Sequence, residues 1–354
     1  MKLKPLHIGD LTIPVPIIQG GMGVGISLSS LAGAVAKEGA VGVISAAQPG
    51  FLSKDFLTNT VETNLKALAY HIKKAKEISN NGIIGVNIMR AATHYADYVA
   101  CCIQNGADMI ISGAGLPMEL PHLVGDAPIK FAPIISSVKA AKVLLHRWDK
   151  RGQRMPDFVV IEGPKAGGHL GFSEKELLSG LESDYAYYDE EVKNIIDYVK
   201  SFESKYNRPF PVIFAGGVYD RNDIDHYIKL GCDGVQMATR FVATQECDAD
   251  IAYKMAYVNA KKEDITIVKS PVGMPGRAII NPFMELRKTE RENVTKCYKC
   301  LEKCNPTTTP YCITEALIRA AKGNTENSLL FCGANAYKVN KITTVKEIIE
   351  ELNQ

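Results

Sequence analysis

The sequence has no long apolar run. No segment reaches the roughly 18 residues that a membrane-spanning helix needs, so a membrane partner is not expected. It also lacks an excess of either charge: 41 basic and 39 acidic residues leave a formal net charge of +2. Nucleic-acid-binding proteins carry a clustered basic excess, and here no basic run exceeds a few positions. A nucleic-acid partner is therefore not expected either. The start, MKLKPLHIGDLTIPVPIIQGG, has no apolar signal-peptide core, and Pro5, Asp10, Pro14 and Pro16 interrupt it, which points to the cytoplasm. There the 9 cysteines are expected as thiols rather than disulfides. No fixed-period repeat and no low-complexity linker divides the 354 residues.

What is present is an alternation. Short apolar runs recur at Ile17–Gly21, Val41–Ala46, Ile83–Ile88, Met109–Gly113, Lys130–Ser136, Phe158–Gly163, Pro211–Gly217 and Gly234–Arg240. Each is continuous rather than alternating, as in parallel strands buried on both faces. Helical periodicity fills Ser29–Lys37, Thr60–Ser79, Ser137–Arg147, Glu190–Ser204 and Arg221–Leu230. Eight strands alternating with helices predict a (β/α)8 TIM barrel, with an open doubly wound sheet as the alternative. The barrel is expected over residues 1–285. Residues 286–354, with the run Leu329–Ala334 and a late helix Val345–Leu352, are expected as a cysteine-rich extension packed on it. Ser173–Asp189, with Tyr185, Tyr187 and Tyr188, is placed to be a lid or substrate loop.

Active sites of such barrels sit at the C-terminal ends of the strands. The residues there are Gln19-Gly20-Gly21-Met22-Gly23, Val86-Asn87, Ser112-Gly113, Lys139 after the fifth run, Glu162-Gly163, Gly216-Gly217 and Gln236 to Arg240. Small residues on the last two strands let backbone N–H groups approach a phosphate, unless Gly216-Gly217 is only a tight turn. The segment Glu162-Gly163-Pro164-Lys165-Ala166-Gly167-Gly168-His169 sets a histidine among glycines straight after a buried strand. His169 is expected to face the pocket, with a pKa suited to proton abstraction near neutrality; the other reading is a loop histidine that orders the turn. His7, His71, His94, His122, His146 and His226 read as surface or solvated residues.

Ala166-Gly167-Gly168-His169-Leu170-Gly171 resembles the histidine motif of the nitronate monooxygenase (2-nitropropane dioxygenase) family, which FMN-dependent enoyl-ACP reductases share. Pro16 to Met22, Pro211 to Gly217, Gly234 to Phe241 with Thr244, and Ser270 to Ala278 resemble further segments of that family. The resemblance covers about residues 5–285. It implies non-covalent FMN, with the isoalloxazine against Gly21, Met22, Gly23 and Asn87. It implies the phosphate at Gly168, Gly216, Gly217, Met237 and Ala238, with Thr239 nearby and Gln236 and Glu162 also in contact. It implies His169 as the catalytic base. Two positions depart: Ala238 stands where a glycine is expected, and Pro164-Lys165 replaces a small or acidic pair. The implied activity is oxidation of alkyl nitronates by O2, one electron passing from nitronate to FMN. One alternative is an NADH-dependent enoyl-ACP reductase, although no βαβ G-x-G-x-x-G unit is seen. A second is a non-catalytic flavin-binding redox sensor. The partners are then a small-molecule substrate and O2, with pairing into a homodimer left open.

Cys297, Cys300, Cys304 and Cys312 form a C-x2-C-x3-C-x7-C pattern. Two readings stand: a structural site for zinc or an iron–sulfur cluster, remote from FMN, or reduced and partly buried thiols.

Overall fold

The structure is a computed structural model that describes residues 2–181 and 183–354. The chain begins with an antiparallel hairpin of β1 (Leu6–Ile8) and β2 (Leu11–Ile13). Six parallel strands follow: β3 (Ile17–Gln19), β4 (Gly42–Ser45), β5 (Ile84–Met89), β6 (Met109–Gly113), β7 (Lys130–Ile135) and β8 (Val159–Glu162). After the short β9 (Gly168–His169) come β10 (Val212–Ala215) and β11 (Gly234–Met237). The chain then adds β12 (Ile265–Lys269), β13 (Pro275–Ile279) and β14 (Leu330–Phe331).

Eight of these strands form one sheet in the order β3-β11-β10-β8-β7-β6-β5-β4. Its two ends meet. Ile18 bridges Val41 in parallel, and Gln19 N–H donates to the Val41 carbonyl at 2.9 Å. The sheet is therefore a closed α/β barrel, not an open doubly wound sheet. All eight expected strands are present, each within the expected run or a residue beyond it. Their continuous apolar character has the expected cause. One face of each strand packs into the barrel, where Ile18, Val43, Ile111, Val160 and Ile213 meet, and the other packs against helices. The hairpin is an addition that short alternating runs did not announce. Its Leu6, Ile8 and Ile13 join the interior cluster.

The predicted helices form at Ser29–Lys37, Thr60–Ile78, Val138–Lys150, Tyr188–Lys200, Arg221–Leu230 and Val345–Leu352. Local chemistry sets their starts: the Ser137 side chain accepts from Ala140 N–H, and Asp220 and Thr344 each form a capping box. Helices Tyr95–Gln104, Ile251–Asn259 and Ile313–Ala321 were not expected. Beyond the barrel, β13 pairs with β12, β14 and β9, all antiparallel. The last residues also join the barrel helices, through a bidentate ion pair between Arg240 and Glu351 and a bridge between Thr244 and Thr343. No helix among the described residues is long and apolar enough to cross a membrane.

Candidate active site

The strand C-termini surround a cavity of about 1300 Å³, open mouth included. Gly21, Met22 and Gly23 form one wall after β3, with Asn87 from β5 beside them. A Cβ on Gly21 would come within 2.3 Å of Asn87 Cβ, so glycine permits this close approach. Glu162 ends β8, and Gly168 and His169 follow it into the cavity. Gly216 and Gly217 follow β10; Gln236 and Met237 end β11, and Ala238 and Thr239 follow it. Every residue that the resemblance assigns to FMN or to catalysis thus lines one cavity. Lys139 does not; its side chain lies on the exposed surface of helix Val138–Lys150.

Gly216 and Gly217 have φ of +105° and +91°, the left-handed region that glycine enters freely. Ala238 has φ of −128°, so alanine meets no left-handed-backbone strain in place of the expected glycine. The short helix Thr239–Val242 starts immediately after it. Gln236 Oε1 is buried and has no hydrogen-bond partner. Buried amide oxygens are normally satisfied, so this one is an acceptor waiting for a donor from within the cavity.

His169 is held differently from the expectation. Its Nε2 lies 2.8 Å from Ser270 Oγ, and Phe331 meets the ring edge-on at 4.9 Å between centroids. Desolvation pushes its pKa down to about 4, so it is a neutral imidazole at pH 7 rather than a base poised near neutrality. Glu162 shifts the other way. Burial raises it to about 7, against the Gly171 N–H bond at 3.0 Å and the charge of Arg277, which both favour its ionised form. Arg277, itself buried, donates to the Pro164 carbonyl at 2.8 Å and to that of Ala166. It clamps the loop that carries His169.

Three expectations are corrected. The tyrosines of Ser173–Asp189 do not line the cavity: Tyr187 is exposed, Tyr185 bonds the Leu177 carbonyl at 2.7 Å, and Tyr188 bonds the Ser136 and Glu162 carbonyls. They anchor the segment, in which Glu182 lies outside the described residues. His71 is not a solvated residue. It is half-buried beside Ser29 Oγ at 2.9 Å, and desolvation lowers its pKa to about 4. The cysteine pattern does not assemble a metal site: among the described residues no group of three or more His, Cys, Asp or Glu could hold an ion. Cys297 is exposed on an irregular segment, and burial raises the pKa of the Cys300, Cys304 and Cys312 thiols, which fits the reading as thiols.

Part of the site was missed in the sequence. Cys332 and Gly333 line the cavity just after β14, and Asn335 Nδ2 donates to the Gly217 carbonyl at 2.5 Å. A Cβ on Gly333 would sit 2.6 Å from Thr239 Oγ1. The signal was the Cys332-Gly333-Ala334-Asn335 break after an apolar run, which read as packing of an appendage.

The barrel opens a single glycine-lined cavity at its strand C-termini, where the active sites of barrel enzymes sit. The family model described as nitronate monooxygenase matches residues 4–354, and the chain belongs to this family of oxidoreductases. A Staphylococcus saprophyticus protein named "Probable nitronate monooxygenase" is 25% identical over 385 aligned positions, covering 100% of this chain and 99% of that protein. One of the same name from Staphylococcus aureus strain Newman is 27% identical over 296 positions and covers 78% of each chain. Among solved structures, FabK from Thermotoga maritima superposes with a TM-score of 0.70 at 24% identity, covering 95% of this chain and 91% of that one. A nitroalkane oxidase from Streptomyces ansochromogenes gives 0.70 at 18% identity, covering 96% and 95%. Both structural likenesses speak to the fold.

Proposed function

We propose that this protein binds FMN and oxidises alkyl nitronates with O2. The observation that carries the reading is the single cavity shared by His169, the Gly216-Gly217 turn and the unpartnered Gln236 Oε1. The residues fit the cofactor. Gly216, Gly217, Ala238 and Thr239, with Gly168, would hold the phosphate; Gly21, Met22, Gly23 and Asn87 would lie along the ring system; Gln236 would accept a ring N–H. Bound FMN supplies the electron acceptor and the place where O2 is reduced.

His169 acts on the substrate in this reading. A base with a pKa near 4 is poorly matched to taking a proton from carbon at pH 7. A neutral imidazole is well suited to donating a hydrogen bond to an anion that arrives already ionised. The reading therefore favours a nitronate over its parent nitroalkane. Ser270 fixes the ring, and Arg277 fixes the loop beneath it. We take the setting to be the cytoplasm, with a small molecule and O2 as partners and a homodimer as the assembly to test.

The second reading is an NADH-dependent enoyl reductase, favoured by an apolar cavity that adjoins His169 and suits an acyl chain. One experiment separates them. The purified protein is examined for a flavin spectrum, then given propyl nitronate in air without NADH while oxygen is followed. Oxygen uptake supports the nitronate reading. No uptake, with anaerobic bleaching by NADH, supports the reductase. No flavin after reconstitution with FMN overturns both.

A further inference from the structure

A second cavity, of about 700 Å³ with its open mouth included, lies beside the first. Ala47, Met89, His169 and Leu317 line both, so the two adjoin with the imidazole between them. The walls of the second are mainly apolar, with Val61 from helix Thr60–Ile78, Ile88 from β5, Ile313 from helix Ile313–Ala321, and Tyr298 and Leu301. Its most buried amides are already engaged with each other: Asn64 Nδ2 donates to Gln48 Oε1 at 2.7 Å.

The wall contributed by the cysteine-rich segment is anchored. Leu301 bridges Ala92 antiparallel, Thr93 N–H donates to the Cys300 carbonyl at 3.3 Å, and Glu302 N–H to the Ala91 carbonyl at 3.1 Å. Arg90 pairs with Glu302 at 2.9 Å, and Tyr298 stacks on Phe56 at 5.6 Å. The extension that reads as an appendage in the sequence is therefore one side of a preformed apolar compartment.

We propose that this compartment holds the apolar tail of the substrate, its reacting end at His169, and that the natural substrate class is a medium-chain alkyl compound rather than a two- or three-carbon one. The occupant follows from adjacency at His169: a chain leaving the imidazole away from the glycine-lined end meets these walls. The proposal rests on the oxidoreductase reading above and adds the substrate's length. Each methylene buried against such walls is worth roughly a threefold to fourfold gain.

The test uses the flavin-loaded protein, with n-propyl and n-octyl nitronate as substrates and Val61→Trp and Leu301→Trp as variants that fill the compartment. The expected result is a kcat/KM for the octyl compound several hundredfold above the propyl one, about threefold to fourfold for each of the extra methylenes. Each variant lowers the octyl value at least about tenfold and leaves the propyl value within about twofold. Calorimetric titration with nonanoate and butyrate, planar anions that need no turnover, gives an independent readout. Tighter nonanoate binding that either tryptophan abolishes supports the compartment even if no nitronate is oxidised, in which case the nitronate reading alone fails. Nitronate turnover that ignores chain length, with nonanoate no tighter than butyrate, overturns the compartment and leaves the nitronate reading standing. A variant that depresses propyl and octyl turnover equally also overturns it.

Discussion

His169 and Ser270, 101 positions apart in sequence, meet at 2.8 Å through Nε2 and Oγ. Val272 N–H donates to the same Oγ at 3.3 Å and holds the hydroxyl against the ring. The contact fixes the orientation of the neutral imidazole, with Ser270 donating to Nε2 or accepting from it according to the tautomer. His169→Ala is expected to lower kcat/KM on nitronates about a hundredfold or more while FMN stays bound. Ser270→Ala is expected to cost about tenfold, because the ring remains but loses its fixed orientation. Steady-state rates set beside the flavin absorbance of each purified variant check both. Full activity in His169→Ala would remove the residue from the chemistry.

Arg277 offers a different failure. Its guanidinium is buried and satisfies carbonyls of Pro164 and Ala166. Arg277→Met keeps the bulk but leaves those carbonyls without donors, at about 1–3 kcal/mol each where they stay buried. The loop bearing Gly168 and His169 should loosen. Lower Tm and weaker FMN retention are expected together, measured by thermal unfolding and by flavin released on gel filtration. A variant that loses Tm and keeps its flavin would separate the clamp from the cofactor site.

Gly216→Ala tests the turn after β10. The new Cβ would stand 2.7 Å from the Gly163 carbonyl oxygen, a backbone atom, at a φ of +105°. Strain of this kind costs on the order of 1–3 kcal/mol, and the turn relieves it only by moving. The expected result is at least about a tenfold rise in the Kd for FMN, read by fluorescence quenching during reconstitution. An unchanged Kd would show that this turn does not hold the phosphate.

The barrel was legible because its signal is local. Short continuous apolar runs such as Met109–Gly113 read as strands buried on both faces, and their C-termini mark where chemistry sits. The cavity-lining residues were legible for the same reason, since Gly21, Asn87, Glu162, Gly217 and Gln236 each lie within two residues of a strand's C-terminal end. What escaped depends on long-range pairing. β9 is two residues long, Gly168 and His169, and exists because β13 lies beside it. Cys332 and Gly333 reach the cavity because β14 adds to the same sheet. No periodicity announces strands this short. Spacing along the chain likewise says nothing about where the cysteine segment is pinned: bonds to residues 91–93 hold it, and no ion-holding group is found among the described residues.

Glu162 and His169 make opposite contributions to stability as pH changes, and one substitution can separate them. The Glu162 pKa rises from its ordinary value of 4.5 to about 7 in the folded protein. Between those values the folded chain binds more protons than the unfolded one, so this contribution falls as pH rises through the window. His169 drops from 6.5 to about 4, so the folded chain binds fewer protons between them, and its contribution rises with pH. His71, also lowered to about 4, adds to the rise. The two trends overlap and partly cancel in the native protein. Glu162→Gln removes the falling one and keeps an oxygen that can accept from Gly171 N–H. Relative to the native protein, the variant should gain stability as pH rises from about 4.5 to 7, by about 3 kcal/mol at most. Denaturant unfolding at pH 4.5 and pH 8 measures this difference. A gain at pH 8 that is absent at pH 4.5 is the expected sign. The same gain at both would mean that Glu162 is not neutral in the fold, and that its carboxylate faces the cofactor cavity already charged.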